Sequence, residues 1–163
     1  MKKLKVWQLV LILAVVVLGG VLFVGAAAGW FSGVQPIAVD AEYICTDDCE
    51  LMELSAEQYE ALVQEKGSFV VFVDQPGCHT ADELRGFVKK WSAENGVRFY
   101  RMWFSDVKET TLYNNVRYYP SVAVVSRGKV VAWRRADADA DAGAYNEYEV
   151  FSEWMGRYVT SSY

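Results

Sequence analysis

The apolar run Phe69-Val70-Val71-Phe72-Val73 limits this chain more than any other stretch. It is too short for a globular helix and rich in β-branched and aromatic residues, so it reads as a buried strand, Phe69 to Asp74. The strand breaks at Gln75-Pro76-Gly77, and a helix-forming run, Asp82 to Ala93, follows. Cys78 therefore sits between the end of a buried strand and the start of a helix. The amides and macrodipole of a helix N-terminus favour an anion, which predicts a lowered thiol pKa and thiolate near neutral pH. Further on, Tyr118-Tyr119-Pro120-Ser121 opens a second apolar run, Val122 to Val125.

The other elements follow from local signals. Ser55-Ala56-Glu57-Gln58 is a capping box opening a helix to about Lys66, with Tyr59, Leu62 and Val63 on one face. In the helix after Cys78, Leu84, Phe87, Val88 and Trp91 form an inward stripe, and Gly96 ends it. Val97 to Phe104 reads as a strand, and Ser105 to about Asn114 as a short helix. A hairpin, 121–126 and 129–135, turns across Arg127-Gly128. A last amphipathic helix spans about Asn146 to Val159 and carries Val150, Phe151, Trp154 and Tyr158. The order is helix, strand, helix, strand, helix, hairpin, helix. It predicts an α/β fold, a mixed sheet with helices on both faces.

The N-terminus is a different material. Val6 to Phe31 is apolar apart from Gln8, and no charge follows Lys5 until Asp40. As a helix the run would span about 39 Å, more than a bilayer core of about 30 Å. Basic residues stand only before it, so the N-terminus is expected to stay cytoplasmic with the domain translocated. A cleaved signal peptide is the rival reading, offered by Ala26-Ala27-Ala28-Gly29, but a cleavable apolar core runs only about 7 to 15 residues. Either way the folded domain is expected outside the cytoplasm. Three parts result: a membrane anchor at 1–31, a tether at 32–53, and the main domain at 54–163.

The chain carries 16 basic and 21 acidic residues, net −5, and three of the basic ones lie before Asp40. What remains is still more acidic, which excludes nucleic acid and anionic lipid as partners of the domain. Gly128-Lys129 in a hairpin turn is no phosphate loop, and no cofactor is expected. Asp137 to Gly143 faintly resembles a calcium loop. Ala142 takes its obligatory glycine place and Tyr148 its bidentate glutamate place, so a solvated insertion is expected and no metal. The tether holds Cys45-Thr46-Asp47-Asp48-Cys49. Outside the cell a small disulfide loop is the first reading. Metal binding is weaker, because a tetrahedral zinc site needs four ligands and no second pair is visible.

From about Leu54 to Val159 the chain resembles the thioredoxin-fold family. Cys78 stands where that family keeps its nucleophilic cysteine, Pro120 matches its cis-proline, and SVAVVSRGKVVAW resembles the hairpin that follows. The departures are specific. The resolving cysteine falls on Ala81, His79-Thr80 replaces Gly-Pro, Gly77 replaces the preceding Trp, and the buried proton-accepting Asp falls on Phe72. The resemblance implies thiol–disulfide exchange through Cys78 with protein thiols or disulfides. His79 and Thr80 would tune the thiolate, and the backbone at Tyr119 beside Pro120 would hold an extended substrate segment. Cys45 or Cys49 would then be a further candidate for the missing resolving thiol. The alternative is a non-catalytic module that kept the fold and holds an envelope protein partner at the membrane face.

Overall fold

In this computed structural model residues 36–46, 49–135 and 137–160 are described. The expected membrane anchor at 1–31 lies outside them, and no helix among the described residues is long and apolar enough to cross a membrane.

The strand predicted at Phe69 lies at the centre of a sheet. In chain order the elements are β1 (Met52–Glu53), α1 (Ala56–Gln64), β2 (Phe69–Asp74), α2 (His79–Asn95), β3 (Tyr100–Trp103) and α3 (Phe104–Val107). After them come β4 (Ser121–Ser126), β5 (Lys129–Trp133), α4 (Gly143–Asn146) and α5 (Tyr148–Tyr158). The five strands lie in the order β1-β3-β2-β4-β5. β3 runs parallel to β1 and β2, β4 is antiparallel to β2, and β5 antiparallel to β4. All six residues of β2 are buried, as a strand paired on both edges and covered on both faces requires.

Strand alternation sorts the helices onto those two faces. Phe69 meets Tyr59 of α1 ring to edge, whereas Asp74, on the opposite face, meets Arg85 of α2. α5 packs beside α2 through Phe87 and Phe151. The mixed sheet with helices on both faces is therefore observed. Ser55 caps α1 as expected, its Oγ accepting from Gln58 N–H while the Gln58 side chain accepts from Ser55 N–H. The hairpin turns at Arg127 and Gly128, both at positive φ (50° and 73°), the pairing that matches strand twist in a two-residue turn.

Several boundaries move, each for a tertiary reason. The helix after Cys78 starts at His79, not Asp82, with Cys78 as N-cap. β3 loses its first residues because Val97 bridges to Ile44 and Arg98 N–H donates to Tyr43 C=O, away from β2. The helix expected to run to Asn114 stops at Val107. Thr110 Oγ1 donates to the Val107 carbonyl at 2.8 Å, the kind of side-chain bond that competes with helix, and the chain re-enters as a 3-10 turn, Thr111–Asn114. The final helix begins at Tyr148, after the separate short α4.

The expected tether is woven into the fold from its middle onward. Ile37 bridges in parallel to Val159, Asp40 accepts from Ser68 N–H at 2.7 Å, Tyr43 is buried, and β1 supplies an edge strand. The acidic insertion is not simply solvated either. Asp141 accepts from Arg134, whose side chain is 6% exposed, at 2.7 Å, and Arg134 also lies over the Trp154 ring. A cation brought into the core needs that carboxylate.

Buried phenols give the fold an alkaline limit. Burial pushes the Tyr59 hydroxyl up to about 12 and also raises those of Tyr43, Tyr145 and Tyr148. The unfolded phenol titrates near pH 10. With folded values raised, the stabilisation is complete below about pH 10 and is lost as pH climbs through the folded values. Urea midpoints are expected to fall from pH 10 upward, by more than one tyrosine accounts for. A midpoint constant between pH 9 and 11.5 contradicts this.

Candidate functional site

Three strand ends meet at one edge of the sheet. β2 leaves it toward Cys78, β4 enters it from Pro120, and β5 leaves it at Trp133. Val73 stands opposite Ser121, which follows Pro120 directly. The Tyr119–Pro120 peptide bond is cis. Adjacent strands lie about 4.8 Å apart, so the β2, β4 and β5 ends fall within about 10 Å laterally. On β4's other side Arg134 N–H donates to Val122 C=O, and Ser121 Oγ donates to the Arg134 carbonyl.

The tight turn Gln75-Pro76-Gly77 passes through a positive φ of 73° at Gly77, and Cys78 N–H donates to the Gln75 carbonyl. The Cys78 carbonyl accepts from Ala81 and Asp82 N–H, opening α2. Cys78 is half-buried and is the free cysteine of the chain. Thr80 is half-buried in the same turn, while Ala81, where a resolving cysteine is missing, is fully buried. His79 follows Cys78 as the first residue of α2. Its side chain is 86% exposed and faces Glu83, with Nε2 3.7 Å from the carboxylate, so its electrostatic partner is an acid one helical turn on.

Pro120 is buried. The Tyr119 ring is half-buried against Phe104, its hydroxyl is buried without a partner, and burial raises that hydroxyl's pKa. It is Tyr118 that faces solvent, 55% exposed. No backbone-to-backbone hydrogen bond among the described residues uses the Tyr119 amide or carbonyl.

Cys45 and Cys49 are joined in a disulfide. Cys45 N–H donates to the Gly96 carbonyl, and the Cys49 carbonyl accepts from Ser92 Oγ. Both anchors lie at the C-terminal end of α2, and Cys78 caps its N-terminus. Seventeen residues at about 1.5 Å each separate the two sulfur sites by about 25 Å. The bridge is thus remote from Cys78.

Sequence reasoning missed the ion cluster beneath the Cys78 turn. Phe72, aligned with the family's buried acid, is fully buried, but Asp74 on the same face is a wholly buried carboxylate. Arg85 grips it with Nε at 2.9 Å and Nη2 at 2.8 Å while Nη1 reaches Asp82. Arg101 Nη1 lies 3.9 Å away on the other side, with Nη2 on Glu53. Hydrogen bonding to Asp74 holds the Arg85 guanidinium above its ordinary value. The pair closes a loop from the end of β2 to the second turn of α2, with Cys78 inside it. A lone charge ending an apolar strand was the available signal.

This arrangement defines a thioredoxin-like fold. The thioredoxin of Trypanosoma brucei brucei is similar over 74% of this chain and 99% of its own, at 16% identity and a TM-score of 0.50. Oxidised thioredoxin from Plasmodium falciparum is similar over 63% of this chain and 99% of its own, at 15% identity and a TM-score of 0.46. The J-Trx1 fragment of ERdj5 shares 20% identity over 66% of this chain, with a TM-score of 0.47; the matched part spans about half (51%) of that fragment. No family model and no curated protein matches the chain.

Proposed function

We propose that this chain is a membrane-anchored, extracytoplasmic thioredoxin-like protein that exchanges disulfides with protein clients through Cys78 alone. The observation that carries the reading is the isolation of Cys78. It lies at the β2–α2 turn, β2 pairs with the strand that follows the cis-proline, Ala81 fills the place of a second thiol, and the remaining cysteines are bonded about 25 Å away.

The step is simple to balance. The Cys78 thiolate attacks one sulfur of a client disulfide, a Cys78–client disulfide forms, and the other client sulfur leaves as thiolate. Without an internal thiol the mixed disulfide persists until an external thiol attacks it. Pro120 and the backbone at Tyr119 would hold the client segment, with Thr80 beside the sulfur. His79, turned to Glu83, contributes least.

The test uses the full chain with its 45–49 bridge intact and a peptide carrying a thionitrobenzoate mixed disulfide. One equivalent of thionitrobenzoate is expected, with the peptide retained on Cys78 until glutathione is added. Cys78→Ser should release none. No adduct in the wild-type chain, or an adduct that collapses without added thiol, overturns the proposal.

A further inference from the structure

The segment that leads into Pro120 lines a recess of distinct chemical character. A recess of about 210 Å³ lies between the loop leading into the cis-proline and the exit of β5. Arg117 and Tyr118 line it from the loop, and Trp133, Arg134 and Arg135 from the end of β5 onward, with no acidic residue among the described residues that line it. Ligand pockets for whole small molecules run about 300–1,000 Å³, so this one suits a side chain or two of a longer segment.

The three arginines are not equivalent. Arg134 is spent inside the fold on Asp141 and Trp154. Arg135 is 55% exposed and shares two of its nitrogens with Asp137. Arg117 is exposed and lies over the Tyr113 ring, its Nε donating to the Tyr113 carbonyl at 3.4 Å, with no carboxylate partner among the described residues. Arg117 and Arg135 thus line the recess from its two segments. They do so on a chain whose net charge is −5. The acidic side chains Glu57, Glu60 and Glu109 line a different groove, along α1. Tyr118 and Trp133 add aromatic surface to the lining.

Resting on the exchange reading above, we infer that Arg117 and Arg135 select clients whose extended segment carries Asp or Glu next to the reacting cysteine. The segment runs past Pro120, where Tyr119's backbone groups are free of backbone partners, and sets a carboxylate between the two guanidinium groups. Guanidinium–carboxylate pairing is directional and charge-assisted, while its exposure keeps the gain modest and salt-dependent.

Two experiments on the full chain separate this inference from the exchange reading. Fluorescence anisotropy with cysteine-free peptides, identical except for Glu, Gln or Lys at the flanking positions, reads the recess alone. The Glu peptide should bind roughly tenfold tighter than the Lys peptide at low salt, with the gap closing by about 0.5 M salt. R117E/R135E should reverse the order, and the milder R117Q should narrow it, with unchanged thermal unfolding as the fold control. Equal binding of the three peptides, or a preference the charge swap leaves intact, overturns the inference. The same peptides as thionitrobenzoate disulfides then read Cys78. A preserved binding order with no thionitrobenzoate release would sink the exchange chemistry and leave the acidic-segment recess standing.

Discussion

Arg85→Ala is expected to destabilise the fold by about 3–5 kcal/mol, the cost of leaving a buried charge without its partner. Asp74 is wholly buried, and Arg85 supplies both short contacts to it, at 2.9 and 2.8 Å. Arg101 stays 3.9 Å away and is held by Glu53, so it is a poor substitute. Arg85→Lys should recover only part of the loss, because an ammonium replaces the two-pronged grip with a point charge. Adding Asp74→Asn to Arg85→Ala should recover more, since the stranded charge disappears. Urea unfolding of the four members of that cycle measures the coupling. A loss below about 1 kcal/mol for Arg85→Ala would show that the carboxylate finds other partners. Because the pair ties β2 to α2 across the Cys78 turn, the same variant should also slow adduct formation at Cys78.

Gly128→Ala should cost about 2–4 kcal/mol, from two sources that cannot both relax. The residue sits at φ 73°, where a β-carbon alone costs about 1–2 kcal/mol. A β-carbon there would also stand 2.3 Å from the Val63 carbonyl oxygen and 3.4 Å from the Lys66 α-carbon. Both are backbone atoms at the end of α1, so the clash moves a helix and not a flexible side chain. Gly128 N–H donates to Gly67 C=O in the same place, which locks hairpin and helix together. Gly77 offers the contrast. It has a similar φ of 73° but open space around its missing β-carbon, so Gly77→Ala should lose only the backbone part. Equal losses at the two glycines, read from urea midpoints, would refute the steric account.

Much of the fold was legible because the signals were local. The β-branched run of β2, the Ser55 capping box, the inward stripe of α2 and the positive-φ turn at Arg127-Gly128 each depend on residues a few positions apart. The place of Cys78 at a strand-to-helix turn followed in the same way, and the resemblance pointed to the cis peptide bond at Pro120. Helix and strand ends were less legible. A side-chain bond such as Thr110 to Val107, or a bridge such as Val97 to Ile44, shortens an element without leaving a periodic trace.

The sequence by itself determined the order of elements from α1 to β5, the buried central strand and a cysteine at the head of a helix, because hydrophobic period, caps and turn chemistry act within one or two turns of chain. Tertiary structure alone decided where the charges and sulfurs went. Asp74 became a buried acid because Arg85 comes from the next helix, and Arg134 a core cation because Asp141 folds back over it. Cys45 and Cys49 came to lie at the far end of α2 from Cys78 because Gly96 and Ser92 hold them there. His79 turned to Glu83, and arginines from two separate segments came to line one recess. Such pairings join residues far apart in the chain, and the energy that selects them is available only once the sheet has brought their strands together.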